Sequence, residues 1–158
     1  MITNEYYASL VEKYIDMVYR VALSLTANIC DAEDVTQSTF LSLLQNQKVF
    51  ESEAHLKHWL IRVTINGCKK LFRSPWRKNL SIDELPLTFQ TPEQSDLFYA
   101  VMALPQKYKM PIYLFYYEGY STAEIAKILK IPKGTVCTNL DRGRQMLKTQ
   151  LQEANDRE

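Results

Sequence analysis

Apolar residues in this chain recur at three- and four-residue steps, and no stretch of useful length alternates in the two-residue rhythm of a strand. That restricts the fold to helices packed on helices. Leu10, Tyr14, Met17, Val18, Val21 and Leu25 make one face of a long first helix. After a break at Ala27-Asn28-Ile29-Cys30, Asp31 is expected to cap a second helix. Glu33 and Asp34 then fall in its first turn, where the helix dipole favours carboxylates. Its apolar positions include Val35, Phe40, Leu43 and Leu44. A third helix over 53–73 sets Leu56, Leu60 and Val63 on one side. His55, His58, Arg62, Asn66, Lys69, Lys70 and Arg73 line another side at helical spacing.

Residues 75–91 have no sustained period and contain Pro75, Pro86 and several serines and threonines, the composition of a linker. Thr91-Pro92-Glu93 reads as an N-cap followed by proline at the first helical position, opening a helix to Leu104. Pro105 starts another to Tyr117, with Gly119 just past its end and Pro111 inside, where a kink or a shifted start is expected. Helices over 122–129 and from Lys133 to about Leu151 follow. The expected architecture is all-α. Two small helical domains, 1–74 and 92–158, are joined by a flexible linker over 75–91.

The net charge of +1 hides a segregation. Residues 1–53 carry −5. Residues 54–82 carry seven basic side chains and no acidic one. Residues 107–150 carry +5. Two separate basic blocks suit two polyanion contacts, and the acidic N-terminal surface suits a basic protein partner. No apolar run reaches the roughly 18 residues of a membrane span. The N-terminus has neither the basic start nor the apolar stretch of a signal peptide. Cys30, Cys68 and Cys137 are an odd number with no CxxC pair, which fits a reducing cytoplasm and gives no cysteine zinc site. No metal and no cofactor are expected. His55 and His58 have no third ligand in view, and Asp31, Glu33 and Asp34 are explained by a cap and a dipole-stabilised turn. Trp59, beside Leu60, is expected in the core. No Gly-rich phosphate loop, paired metal-spaced carboxylates or nucleophile–base set marks an enzyme.

Residues 121–144, STAEIAKILKIPKGTVCTNLDRGR, carry the most specific local signal. Ser121 and Glu124 form a capping box, and Ile125, Ala126 and Leu129 give the short helix its buried face. Lys130-Ile131-Pro132 makes the turn, with Ile131 as an apolar plug, and Val136 and Leu140 bury the longer helix. This is a helix-turn-helix, whose second helix lies in the DNA major groove. Lys133, Arg142, Arg144 and Lys148 can meet phosphates. Thr135, Thr138 and Asn139 are expected outward, where base edges would be, while Asp141 opposes DNA.

Three segments together resemble the extracytoplasmic-function (ECF) group of sigma-70 family RNA polymerase sigma factors. Asp31-Ala32-Glu33-Asp34-Val35-Thr36-Gln37-Ser38-Thr39-Phe40-Leu41 is similar to the region 2 helix that docks on the polymerase β′ clamp. Trp59-Leu60-Ile61-Arg62-Val63-Thr64-Ile65-Asn66 and the basic residues after it are similar to the helix that melts and holds the −10 element. Leu104-Pro105-Gln106 through Leu147 is similar to region 4, which reads the −35 element and sits on the β flap. The resemblance implies a region 2 three-helix bundle and a region 4 helix-turn-helix. It implies core polymerase, promoter DNA and an anti-sigma factor as partners, and promoter-specific initiation as the function. It assigns core polymerase contacts to Asp34, Gln37, Ser38 and Leu41. It assigns −10 contacts to Phe50, His55, Lys57, His58, Arg62, Asn66, Lys69, Lys70 and Arg73. It assigns −35 contacts to Ser121, Thr122, Lys133, Thr135, Thr138, Asn139, Arg142 and Arg144. The pattern departs from the family's at Ser38, Lys70, Cys137, Asn139 and Asp141. A stand-alone helix-turn-helix regulator and a sigma-like co-regulator remain as alternatives on sequence.

Overall fold

A computed structural model describes residues 3–46, 49–72 and 92–156. The expected linker, 75–91, and Arg73 lie outside the described residues. The described residues form seven helices: α1 (Asn4–Thr26), α2 (Ile29–Gln45), α3 (Glu53–Phe72), α4 (Pro92–Met102), α5 (Gln106–Tyr116), α6 (Thr122–Leu129) and α7 (Lys133–Asp156). The chain divides into two compact units, Met1–Leu85 and Pro86–Glu158.

In the first unit α1, α2 and α3 each pack on the other two. All six apolar residues read as the inner face of α1 are buried. They meet Val35, Phe40 and Leu43 from α2 and Leu56, Leu60, Ile61 and Ile65 from α3. Gly67 lets α3 approach α2 closely, because a Cβ there would stand 3.3 Å from Val35 Cγ1. The α1–α2 turn differs from the expected one. Asn28 is the cap, its side chain accepting from Asp31 N–H at 3.0 Å, so Asp31 falls in the first turn and α2 begins three residues earlier. Ala27 takes the left-handed conformation (φ 51°) and returns its N–H to Leu23 C=O, ending α1 without a glycine. Leu44 is exposed rather than part of the core.

In the second unit α7 packs on α4, α5 and α6. Val101, Ile112, Leu114, Ile125, Ile128, Val136 and Leu140 are its most enclosed side chains. The buried pair of α6 is Ile125 and Ile128, with Ala126 and Leu129 half-buried. α4 ends at Met102, two residues earlier than expected, where the buried Lys109 donates from Nζ to Met102 C=O at 3.4 Å. A cation suits that end of a helix. α5 continues through Pro111. Gly119 adopts φ 75°, a conformation glycine takes without steric cost.

The capping box of α6 is present in both directions. Ser121 Oγ accepts from Glu124 N–H, and Glu124 Oε1 accepts from Ser121 N–H, each at 3.2 Å. Ser121→Ala is expected to cost about 1 kcal/mol. In a unit of this size that lowers the melting temperature by roughly 4–8 °C. Thermal melting followed by circular dichroism checks it, and an unshifted transition would remove the cap from the stability of this unit.

Candidate nucleic-acid interfaces

Two surfaces, one on each unit, collect the residues assigned to DNA. On α3, His55, Asn66, Lys69 and Lys70 are exposed, and His58, Arg62 and Lys57 are half-buried. Positions 55, 58, 62, 66 and 69 follow one another at steps of three and four, so they form one stripe down the helix. α3 begins where Ser52 Oγ accepts from His55 N–H at 3.1 Å, the geometry of an N-cap.

The loop before α3 meets this stripe. The Phe50 ring stands edge-on to His55, with centroids 5.4 Å apart, and edge-on to Trp59 at 5.5 Å. Glu51 N–H donates to His55 Nδ1 at 3.1 Å, which fixes the imidazole against the loop. Trp59 is therefore half-buried in an aromatic cluster, rather than in the core as expected. Aromatic side chains are the platforms on which unstacked bases stack.

The N-terminus of α3 is anchored to α1. The Lys13 ammonium pairs with Glu53, and Tyr14 donates its hydroxyl proton to Glu53 Oε1. The hydrogen bond from Lys13, then that from Tyr14, holds the Glu53 carboxyl below its usual value. Burial, reinforced by Glu53, pushes the Tyr14 phenol well above its usual range. A carboxylate whose pKa is depressed on folding adds stability above its unfolded pKa, and loses it as the pH falls through the folded value. The first unit should therefore weaken on acidification below about pH 4. Glu53→Gln should flatten that dependence. Urea titrations at neutral and acidic pH check it, and parallel curves for wild type and variant would contradict it.

On α2, Asp34, Gln37, Ser38 and Leu41 are all exposed and share one face at helical spacing. Leu41 and Leu44 keep 54% and 45% of their surface in solvent, an apolar edge on the exposed side of α2. A groove of about 350 Å³ between α2 and α3 is lined by Asp34 and Ser38 on one wall and Asn66 and Lys70 on the other.

On α7, Lys133, Thr135, Thr138 and Arg142 are exposed as expected. Ser121 is exposed and Thr122 half-buried at the start of α6. Asn139 is not outward: it is 4% exposed. The buried arc of α7 is wider than Val136 and Leu140 suggest, because α5 closes over Gly143, where a Cβ would stand only 2.9 Å from Ile112 Cγ1. That contact accounts for a glycine inside a long helix, despite a propensity cost of about 1 kcal/mol. The arc takes in 136, 139, 140, 143 and 147, and the opposite stripe is Gly134, Thr138, Asp141 and Gln145, all exposed. Cys137 and Asp141 thus face outward, and neither was assigned to DNA from sequence.

Arg144 is held within the unit. Its Nε donates to Tyr116 Oη at 2.7 Å, its Nη1 donates to Asp141 Oδ1 at 3.0 Å, and its guanidinium carbon lies 5.7 and 5.6 Å from the Phe115 and Tyr116 ring centroids. Beside it opens an apolar groove of about 670 Å³, walled by Leu97, Val101, Ile112, Tyr117, Leu147 and Leu151, with Arg144 and Lys148 on the rim. Burial pushes the Tyr117 phenol up. Among the described residues no three His, Cys, Asp or Glu side chains cluster as metal ligands, and no helix is long and apolar enough to cross a membrane.

Comparison with known proteins gives each unit a counterpart. The family description "Sigma-70 region 2" matches residues 10–78, and "Sigma-70, region 4" matches residues 96–147. The ECF RNA polymerase sigma factor SigE of Mycolicibacterium smegmatis is 32% identical over 155 residues, covering 90% of this chain and 60% of that protein. SigW of Bacillus subtilis is 28% identical over 167 residues, covering 93% and 89%. SigL of Mycobacterium tuberculosis is 32% identical over 160 residues, covering 92% and 88%. Two solved structures share the fold. They are the sigma factor RpoE of Bartonella quintana in complex with the anti-sigma factor NepR, and CnrH in complex with the cytosolic domain of CnrY. RpoE gives a TM-score of 0.78 at 23% identity over 92% of this chain and 96% of that one. CnrH gives 0.69 at 22% identity over 96% and 90%.

Proposed function

The chain belongs to the ECF group of sigma-70 family RNA polymerase sigma factors, and from that membership we propose how its two units divide the work of promoter recognition. The first unit binds core polymerase through the exposed face of α2, at Asp34, Gln37, Ser38 and Leu41. It holds the opened −10 strand along α3. The basic stripe tracks the backbone, and Phe50, His55 and Trp59 offer rings to a base taken out of the stack. The second unit reads duplex DNA at −35. Lys133 and Arg142 meet phosphates, and the outward stripe of α7 meets base edges. Asn139 has no part in that reading, since it packs inward.

The sigma factor itself makes and breaks no covalent bond. Polymerase supplies the chemistry, and the protein works where the chromosome and polymerase are, in the cytoplasm. The apolar groove beside Arg144 and the Leu41–Leu44 edge are surfaces that polymerase covers during initiation and that an anti-sigma factor would cover to block it.

The observation that carries this reading is the presence of two units in one chain, each matched to its own region of the family and each presenting its own basic, polar face. Run-off transcription with core polymerase from the source organism, on fragmented genomic DNA with and without the protein, tests it. Discrete new start sites that share two upstream elements are expected. Tight operator binding by the protein alone, with no initiation, would overturn the reading in favour of a stand-alone regulator.

A further inference from the structure

Asp141 stands in the middle of the outward stripe of α7, between Thr138 and Gln145, with 76% of its side chain in solvent. A carboxylate in that place is costly beside phosphates, and its geometry shows what it gains. Oδ1 is occupied by Arg144 Nη1 at 3.0 Å. Arg144 in turn is fixed by its Nε bond to Tyr116 and by the Phe115 and Tyr116 rings beneath it. That pair favours one orientation of the carboxylate and partly balances its charge.

We propose that Asp141 is a base-reading residue that selects cytosine at one position of the upstream promoter element, with Arg144 and Tyr116 as its positioning residues. This rests on the DNA-reading role of α7 proposed above. In the major groove guanine offers only acceptors, and thymine offers an acceptor and a methyl group. A carboxylate oxygen is repelled by both sets of acceptors. Cytosine offers the N4 amino donor with an acceptor on one side only, the O6 of its paired guanine, while adenine's N6 is flanked on both sides, by its own N7 and by the paired thymine's O4. An acceptor-only side chain biased toward one orientation therefore ranks cytosine first. That bias matters, since a mobile carboxylate would turn to solvent and read nothing.

The test uses holoenzyme made from the full chain and core polymerase, with initiation measured across a promoter library randomised through the upstream element. Wild type is expected to favour cytosine at one position by about tenfold. Asp141→Ala should reduce that preference to within about twofold while raising initiation from the other three bases, because a repulsive charge is lost. Asp141→Asn should move the preference toward adenine, whose N6 and N7 match a carboxamide. Tyr116→Phe should blunt the cytosine preference without changing which base is favoured. A uniform gain across all sequences in Asp141→Ala, with the base preferences intact, would overturn the inference and leave Asp141 as repulsion alone. A wild-type enzyme indifferent to the whole upstream element would instead overturn the proposed role of α7, and this inference with it.

Discussion

Replacing Leu60 by alanine is expected to unfold the first unit and leave the second folded. Leu60 is fully buried on α3, in a core shared with α1 and α2. Truncating a side chain so placed costs about 2–5 kcal/mol, through lost transfer energy and the cavity left behind. A three-helix unit of this size has only about 3–5 kcal/mol to spare. The two units have separate cores, so the loss stays in one of them. The chain has two tryptophans, Trp59 on α3 and Trp76 outside the described residues, so in a Trp76→Phe background the fluorescence reports the first unit alone. Leu60→Ala should give a red-shifted, unfolded tryptophan signal at room temperature. Far-ultraviolet circular dichroism should retain a melting transition from the helices after Pro92. Tryptophan emission unchanged from wild type would mean that Leu60 carries little of this core.

The helices were legible in the sequence because their inner faces are continuous. All six positions read on α1 are buried, and the Ser121–Glu124 box closes as its spacing predicts. The errors fall where a second element decides the outcome. The phase of α7 rests on two residues in the sequence, Val136 and Leu140, which leave Asn139 and Asp141 both free to face out. Ile112 of α5, arriving over Gly143, rotates the buried arc onto Asn139 and leaves Asp141 outside. Arg144 stays exposed as a phosphate ligand would, but its Nε bond to Tyr116, twenty-eight residues away, is a contact that local periodicity does not announce. Trp59 looks like core on a helical wheel, but Phe50 of the preceding loop draws it into an aromatic cluster at the surface. In each case a partner distant in sequence supplied the contact, and local periodicity carries no information about that partner.

Charge reversal at the end of the α3 stripe should have the largest effect on function. Lys69 and Lys70 are exposed in the last turn. Binding to a single strand loses a log–log salt slope of about 0.7 for each phosphate contact given up. Lys69→Glu/Lys70→Glu removes two such contacts and adds two repulsions, so promoter opening at physiological salt should fall by about 10²-fold. Permanganate reactivity of unpaired thymines near −10 measures it, and repeating the assay across a salt series should show a slope smaller by about 1.4. Two other effects must be separated from this one. Lysines in the last turn also favour the helix dipole, by about 0.3–1 kcal/mol each, so a thermal melt of the double variant shows how much of the loss is folding. Lys70 shares a groove with Asp34 and Ser38 on α2, so reversing it disturbs the proposed polymerase face as well. Lys69 does not line that groove, and Lys69→Glu alone isolates the DNA contribution. It should lower opening by about tenfold at unchanged affinity for core polymerase. Undiminished opening in Lys69→Glu would remove the α3 stripe from the −10 interface, and a matching loss of polymerase affinity would assign the stripe to the protein partner instead of to the strand.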